Sequence, residues 1–291
     1  MLRPISTPPN GSRLFTEFGT LIDSRLAMNI PEPILFCWSG GKDSAMALHT
    51  LLQQKESRVT ALLTTVTESY ERISMHGVRR ELLERQAESI GLPLHEVRIP
   101  PQCVNPLYET RMEHALHIFY DQGVRRVAFG DIFLEDLRAY REKNLSRIGM
   151  TALFPIWKRD TCELVRYFQA NRFRAVAACI DPKILAGSFA GRELDESFFR
   201  DLPPSADPCG ENGEFHTFVF DGPIFRWPIP VRTGEIVYRD GFVFCDLLPA
   251  EYSGTHTSTA VIPSQEPQPL QPVVEESAFS EKTAKENPTN E

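Results

Sequence analysis

The chain has 291 residues, of which 42% are hydrophobic, so it is long enough for one large or two modest domains with a proper core. No run approaches the roughly 18 apolar residues of a membrane helix, and residues 1–30 lack the compact apolar stretch of a secretory signal. We therefore expect a cytoplasmic protein with no membrane partner. The formal net charge of −8 argues against a nucleic-acid partner, because such surfaces usually carry excess lysine and arginine. The six cysteines form no C-x-x-C pair, which argues against a zinc ribbon.

The two ends of the chain differ from its middle. Residues 1–32 are interpreted as an N-terminal extension, and Met28, just before the first predicted strand, is an alternative start to Met1. From Thr255 onward, proline and the lack of apolar periodicity predict a disordered tail, which we assign to residues 253–291. Its six glutamates and two lysines give it −4 of the net charge of −8, so the tail is acidic.

Apolar, strand-like runs alternate with helix-like segments in the first half of the chain. The predicted strands are residues 34–38, 59–66, 94–99, 126–130 and 152–156, and the predicted helices are residues 43–53, 78–90, 106–122 and 135–148. Gly91 is well placed to end the second helix. Strands that alternate with helices predict a parallel sheet with right-handed crossovers, and such sheets bind ligands at the carboxyl ends of their strands.

The second half of the chain predicts a smaller α+β region. A helix is expected from Asp160, followed by strands at residues 175–180, 215–220 and 241–247, with looser segments rich in glycine and proline between them. We place the domain boundary near residue 150. The prediction is an α/β domain at residues 33–150 and a C-terminal substrate domain at residues 151–252.

A glycine-rich run joins the first strand to the first helix, and it reads Ser39-Gly40-Gly41-Lys42-Asp43-Ser44. The two glycines allow a tight turn that presents backbone N–H groups to phosphate oxygens, and the helix N-terminus adds partial positive charge. Lys42 supplies a full charge, the two serine hydroxyls donate further hydrogen bonds, and Asp43 either caps the helix or binds magnesium. The spacing differs from the Walker A loop. The run predicts a phosphate site, with an ordinary Gly-Gly turn as the alternative.

This run resembles the PP-loop of ATP pyrophosphatases. The resemblance implies a Rossmann-like parallel sheet of the HUP type that binds ATP and Mg²⁺ and splits ATP between its α- and β-phosphates. The loop would hold the leaving pyrophosphate, where negative charge builds up, while a substrate oxygen attacks the α-phosphorus. Gly130, at the end of the fourth predicted strand, is expected among the nucleotide-binding residues.

A second glycine-rich run precedes the strand at residues 215–220, and it reads Gly210-Glu211-Asn212-Gly213-Glu214. Its glycines allow a tight loop that faces a ligand, so all five residues are predicted to bind substrate. Glu211 and Glu214 are candidate catalytic residues, because a carboxylate holds a cation or an amine, or acts as a general base. The alternative is a glycine-rich turn with surface glutamates.

Together the two runs resemble the diphthine–ammonia ligase family, which carries a Cys-Gly-Glu-x-Gly-Glu-[Phe/Tyr]-x-Thr-Phe run followed by an Asp-x-Pro-Leu/Ile-Phe segment. Residues 155–160 and 185–197 match in order, and the resemblance covers roughly residues 33–230. It implies ATP-dependent amidation, in which a carboxylate is adenylated and ammonia displaces AMP. The acceptor would be a small molecule or a protein side chain such as diphthine. No glutaminase domain is evident, so free ammonia is the expected nitrogen source. The oligomeric state is open, with a homodimer as one option.

One stretch departs from the family pattern. Eukaryotic and archaeal members carry a Ser-x-Tyr-Gln-Arg-like stretch after the fourth strand, whereas residues 130–142 of this chain are more acidic. The departure suggests a different acceptor. Asp131 in this stretch either helps to bind magnesium or caps the helix that follows.

Two other functions stay open from the sequence. One is a tRNA-modifying PP-loop enzyme, against which the acidic charge and the lack of paired cysteines argue. The other is a non-catalytic adenine-nucleotide-binding protein, against which the second acidic loop argues, since a sensor has no need of it.

Overall fold

The computed structural model describes residues 31–54, 56–68, 72–73 and 77–251. The predicted acidic tail, Met28 and all but the last two residues of the predicted N-terminal extension lie outside these ranges. The strands are β1 (Glu32–Cys37), β2 (Ser57–Thr67), β3 (Arg72–Ile73), β4 (Leu94–Ile99), β5 (Arg126–Ala128), β6 (Thr151–Leu153), β7 (Arg174–Ile180), β8 (Phe215–Asp221), β9 (Val231–Arg239) and β10 (Phe242–Pro249). The helices are α1 (Lys42–Leu52), α2 (Arg80–Ile90), α3 (Asn105–Asp121), α4 (Glu135–Arg147), α5 (Thr161–Ala170) and α6 (Glu196–Asp201), with a short 3₁₀ turn at Gly187–Phe189.

The first sheet has five parallel strands in the order β4-β2-β1-β5-β6, and β3 pairs antiparallel with the end of β2. The prediction of a Rossmann-like α/β sheet is confirmed. Because β2 and β5 flank β1 on opposite sides, the strand order reverses between β1 and β5. Ligands of open α/β sheets bind at such a switch point, beyond the carboxyl ends of the strands.

The central strand and its helix follow directly from their sequence. Ile34, Leu35 and Phe36 of β1 are fully buried, as expected for a strand of a parallel sheet covered on both faces. Helix α1 then buries Ala45 and Leu48. The turn that joins β1 to α1 is therefore anchored by a buried element on each side. Gly91 ends α2 in the left-handed conformation with φ of 80°, as predicted.

The second sheet is antiparallel, in the order β8-β7-β10-β9. Three of its strands lie where the sequence predicts them. The fourth, β9, is an edge strand that the sequence analysis missed, because nearly all of its residues are exposed and show no alternation of apolar and polar side chains. The smaller α+β region is thereby confirmed.

One hydrophobic cluster runs across the predicted boundary near residue 150. It joins side chains of β1, α1 and α2 to side chains of α5 and of the second sheet. Helix α1 contacts both β2 and β8, so the second sheet reaches the turn that follows β1. Among the described residues, no helix has the length and apolar composition needed to cross a membrane.

Candidate active site

The glycine-rich turn at residues 39–44 lies at the carboxyl end of β1, at the switch point of the parallel sheet. Gly40 adopts φ of +79°, a left-handed conformation that glycine takes at no steric cost. Gly41 occupies the N-cap position of α1 with extended backbone, so the first turn of the helix begins at Lys42. The sequence prediction of a strand–loop–helix unit is therefore met in its geometry.

Helix α2, from the same half of the chain, and strand β8, from the other half, both hold this turn in place. The backbone N–H of Val219 donates to the Gly40 carbonyl at 2.9 Å, and the backbone N–H of Lys42 donates to Thr217 Oγ1 at 3.0 Å. The side-chain amide of Gln86, which is fully buried, also donates to the Gly40 carbonyl, at 3.1 Å. The turn is held by these three partners, each of which lies 46 or more positions away in the chain.

The polar groups of the turn are clustered and mostly buried. The hydroxyls of Ser39 and Ser44 lie 2.9 Å apart, and Ser44 donates to the Gly41 carbonyl at 3.0 Å. Lys42 Nζ lies 2.8 Å from Asp43 Oδ2, and the Lys42 side chain is only 5% exposed. Burial, the largest single influence, lowers the pKa of Lys42, but the Asp43 carboxylate together with Cys209 and Glu211 outweighs it, so the pKa lies above its ordinary value. The ammonium group therefore stays charged at physiological pH.

Asp43 does not cap α1, because the structure shows no side-chain hydrogen bond at that N-cap. Instead its carboxylate pairs with the Lys42 ammonium in the first turn of the helix. Burial raises the pKa of Asp43, and the adjacent lysine opposes that rise.

Gly130 closes the site from the neighbouring strand. It follows β5, across the switch point from the turn, and a Cβ at this position would lie 2.8 Å from both Cα and N of Ser44. Because those are backbone atoms of α1, they cannot move aside as a flexible side chain would. The absence of a side chain at Gly130 lets β5 and the first turn of α1 approach each other closely.

The second glycine-rich run folds around Glu214, which is only 1% exposed. Glu214 Oε1 accepts a hydrogen bond from the Asp207 backbone N–H at 2.7 Å, and Oε2 accepts one from the Asn212 backbone N–H at 2.8 Å. Burial raises the pKa of Glu214, but these donors outweigh it and bring the pKa below its ordinary value. The buried carboxylate of Glu214 thus holds the loop together, with the exposed Asn212 as one of its donors, which is not the direct contact with substrate that the sequence suggested for these two residues.

Glu211 occupies the opposite side of the same loop and faces a cleft. Burial raises its pKa to about 7, with the Asp43 carboxylate adding to the rise and Lys42 opposing it. His216, two residues beyond Glu214, also faces the cleft, and burial with the nearby Lys42 charge lowers its pKa to about 4. At neutral pH the site therefore presents a carboxyl group near its midpoint of ionisation beside a neutral imidazole.

Residues of both glycine-rich runs line one cleft with a volume of about 620 Å³, which is within the size range of small-molecule sites. Of the predicted site residues, all of which are described, those that line the cleft are Ser39, Gly41, Lys42, Asp43, Ser44, Gly130, Asp131, Gly210, Glu211 and Gly213. The cleft is not lined by Gly40, Asn212 or Glu214. The hydrogen bonds of these three residues instead hold the two runs in their conformations.

Asp131 lies at the mouth of the cleft but does not cap helix α4, whose N-cap is Leu134. Both of its carboxylate oxygens are taken by Arg141, from Nε at 2.6 Å and from Nη2 at 3.2 Å. The magnesium role of Asp131 stays a prediction, as does that of Asp43, whose carboxylate is paired with Lys42 in the same way.

Within the residues that the structure describes, no group of three or more His, Cys, Asp or Glu side chains forms a ready-made metal site. Mg²⁺ does not need one in nucleotide enzymes, because it is usually held by one or two carboxylates together with substrate phosphates. Asp43, which lines the cleft within the phosphate loop, has the chemistry and the position for that contribution.

The sequence analysis did not single out several residues of the site, among them Gln86, Thr217, His216 and Arg141. Gln86 contacts the turn from 46 positions away and Thr217 from 175, and such contacts leave no local signal. The ten positions between Arg141 and Asp131 are not a helical spacing that would have indicated the pair.

Comparison with known families decides the relationship of this chain. The model described as the N-terminal domain of diphthamide synthase matches residues 34–152, and the model described as its C-terminal domain matches residues 160–250. The chain belongs to the diphthamide synthase family. The matched segments end and begin close to the predicted boundary near residue 150, which itself remains a prediction.

Curated members of this family show how distant the chain is from its named relatives. The diphthine–ammonia ligase of Rattus norvegicus is 24% identical over 247 residues, covering 77% of this chain and 91% of the relative. The Danio rerio protein of the same name is 24% identical, covering 75% and 94%. A solved structure, the U34-tRNA thiolase NcsA from Methanococcus maripaludis with its [4Fe-4S] cluster, matches 47% of this chain and 56% of its own, with 15% identity and a TM-score of 0.30.

Proposed function

We propose that the protein is an ATP-dependent ligase that forms AMP and pyrophosphate, adenylates a carboxylate and converts it to an amide with ammonia. The observation that carries the proposal is the shared cleft. The phosphate loop forms one side of it, and Glu211, a carboxyl group with a pKa of about 7, forms the other. Both halves of the proposed chemistry therefore face the same space.

The turn at residues 39–44 suits the pyrophosphate leaving group. Cleavage between the α- and β-phosphates concentrates negative charge on the departing pyrophosphate, and fixed donors aimed at that charge lower the barrier without reorganising. The turn supplies the N-terminus of α1, the Lys42 ammonium and two hydroxyls, and its partners Thr217 and Gln86 hold it in place. The loop is preorganised by these contacts.

Glu211 suits the nitrogen donor. Free ammonia is mostly ammonium at neutral pH, so it must lose a proton before its lone pair can attack an acyl adenylate. A carboxylate in the cleft attracts the cation and accepts that proton, and a pKa of about 7 places Glu211 near the optimum for a general base. Both carboxylate oxygens of Glu214 accept hydrogen bonds within the loop, so Glu214 would position Glu211 without contacting substrate.

Mg²⁺ would supply charge neutralisation at the phosphates, with Asp43 as the protein ligand. The Lys42 ammonium, 2.8 Å from that carboxylate, would contact the phosphate oxygens. The acceptor carboxylate of the named relatives is diphthine. The acidic stretch at residues 130–142 leads us to propose that the acceptor here differs.

A pyrophosphate-release screen tests this function. Purified protein is incubated with Mg-ATP and a panel of carboxylates, with and without ammonium chloride, and pyrophosphate and amide are measured. We expect one class of carboxylate to give ammonium-dependent amide with matching pyrophosphate.

Two matched variants accompany the screen. Lys42→Ala should abolish turnover. Lys183→Ala changes an exposed lysine that does not line the cleft, so it should retain turnover. Tight ATP binding with no turnover across the panel would favour the non-catalytic alternative. Pyrophosphate release that depends on added tRNA would favour the tRNA-modifying one.

A further inference from the structure

A side pocket lies between α3 and α4, beside the cleft. It has a volume of about 60 Å³, against about 620 Å³ for the cleft. Five residues line both spaces, so the two adjoin at this junction: Cys37, Tyr108, Met112, Phe129 and Arg141. The rest of the pocket is lined by the apolar side chains of Leu116, Val127, Leu145 and Ile148 and by the polar side chains of Glu109, Glu113, Tyr140, Asn144 and Arg147. The pocket is thus a partly apolar recess, with Arg141 as the cationic side chain at its junction with the cleft.

The guanidinium of Arg141 is fixed in orientation. Asp131 accepts from its Nε and Nη2 at 2.6 Å and 3.2 Å, and the group lies 4.3 Å from the centre of the Phe129 ring. Within the described ranges, Nη1 takes part in no hydrogen bond. A guanidinium offers five N–H donors in a rigid fork, so one held on its Nε side by Asp131 retains donors for a second carboxylate.

The other polar groups at the junction are neutral donors. Burial raises the pKa of the Tyr108 hydroxyl to about 12 and that of the Cys37 thiol to about 12, so neither becomes an anion that would compete for Arg141. Two glutamates, Glu109 and Glu113, and one further arginine, Arg147, also line the pocket. Arg147 Nη1 lies 3.6 Å from Glu109 Oε2, so these two charges pair with each other. The charged groups at the junction are therefore Arg141 and its partner Asp131, which lines the cleft, and Arg141 is the one of the two that binds a carboxylate.

We propose that this junction is the acceptor seat: Arg141, oriented by Asp131, binds the carboxylate of the acceptor, and the recess between α3 and α4 receives a small apolar body attached to it. The proposal rests on the proposed amide-forming function and names its substrate class, a carboxylate with a compact apolar substituent. It follows from the shape of the pocket, because an apolar recess rewards burial of hydrocarbon while the guanidinium supplies bidentate recognition. Asp131 is a positioning residue in this arrangement.

Ligand binding without turnover tests the seat. Butyrate, butyramide and butylamine share one small apolar body and differ in charge, so they serve as probes for calorimetric titration against the full chain. We expect butyrate to bind at least about tenfold more tightly than the amide or the amine, since a charge-assisted hydrogen bond contributes more than a neutral one. Equal affinity for butyrate and butyramide would overturn the proposal.

Variants then assign the effect to Arg141. Arg141→Gln should weaken butyrate binding at least about tenfold, Arg141→Lys should retain part of the affinity, and the exposed control Arg200→Gln should leave it unchanged. Binding of α,β-methylene-ATP, which is not cleaved at the α–β bond, should stay within about twofold in every variant, which also reports that the fold is intact. Loss of the nucleotide analogue in Arg141→Gln, with butyrate unaffected, would assign the pocket to the nucleotide and refute the seat.

The titrations separate the seat from the ligase reaction. If the protein gave ADP but butyrate still bound through Arg141, the proposed function would fail and the carboxylate seat would stand. If AMP and pyrophosphate formed while butyrate and its amide bound equally, the seat would fail and the function would stand.

Discussion

Substituting Gly130 by alanine should displace the phosphate loop from the neighbouring strand. A Cβ at this position would lie 2.8 Å from Cα and N of Ser44 and 3.0 Å from the carbonyl carbon of Asp43. Ordinary contacts begin at 3.4 Å, so the first turn of α1 would have to move by about 0.6 Å or strand β5 would have to withdraw. Gly130 is not in the left-handed region, so the effect is steric and not one of backbone strain.

The expected size of this effect follows from overpacking, which costs roughly 1–3 kcal/mol in a well-packed interior. For a folded part of about this size, that is a fall of roughly 2–12 °C in Tm. Because the displaced atoms carry Asp43 and Ser44, we also expect kcat for pyrophosphate release to fall at least about tenfold, since small misplacements of catalytic groups cost that much or more. Thermal unfolding and steady-state kinetics measure the two effects.

Gly187→Ala is the matched control. A Cβ there meets nothing within 4 Å, and Gly187 does not adopt positive φ, so alanine should be neutral or stabilise the protein by up to about 1 kcal/mol. The reasoning would be refuted if Gly130→Ala matched the wild type in both Tm and kcat, or if Gly187→Ala lost as much of either as Gly130→Ala does.

Three further predictions concern the partners of the loop and the proposed base. Thr217→Val removes the acceptor of the buried Lys42 N–H and should cost about 1–3 kcal/mol in the free energy of unfolding, whereas Thr217→Ser should retain most of it; chemical denaturation distinguishes them. Gln86→Leu should weaken ATP binding in titrations and lower Tm by several degrees, because three buried hydrogen bonds are lost, while the exposed Gln169→Leu should do neither. Glu211 is protonated below its pKa of about 7, so the ammonium-dependent rate should rise with pH up to about 7 and then level off; Glu211→Gln should lose most amidation while keeping ATP binding, and its residual rate should go on rising above pH 7 with the fraction of free ammonia. An unchanged pH profile in that variant would exclude Glu211 as the base.

The parts of the site that the sequence predicted are those set by local pattern. The turn at residues 39–44 is bounded by an apolar strand and an amphipathic helix, and its glycines and lysine do their work within six residues of one another. The parallel sheet follows from the alternation of strands and helices in the same way. The sequence did not predict strand β9, because most residues of this edge strand are exposed and apolar and polar side chains do not alternate along it.

The two glutamates of the second loop show where a sequence stops being informative. Glu211 and Glu214 stand three positions apart in the same glycine-rich run, and either could have faced the cleft. Gly210 and Gly213 take left-handed conformations that turn the chain so that Glu214 points inward to the Asp207 and Asn212 amides. The pair of Asp131 with Arg141 depends likewise on how the segment after β5 folds back on α4.

The identity of the nucleotide product tests the central claim most directly. ATP labelled with ³²P at the α-phosphate is incubated with Mg²⁺, ammonium and a productive carboxylate, and the labelled nucleotide is separated by chromatography. The proposed chemistry at the turn of residues 39–44 predicts labelled AMP, with pyrophosphate in equal amount and no product in Lys42→Ala. Labelled ADP with inorganic phosphate would contradict the claim, because it would place cleavage at the β–γ bond.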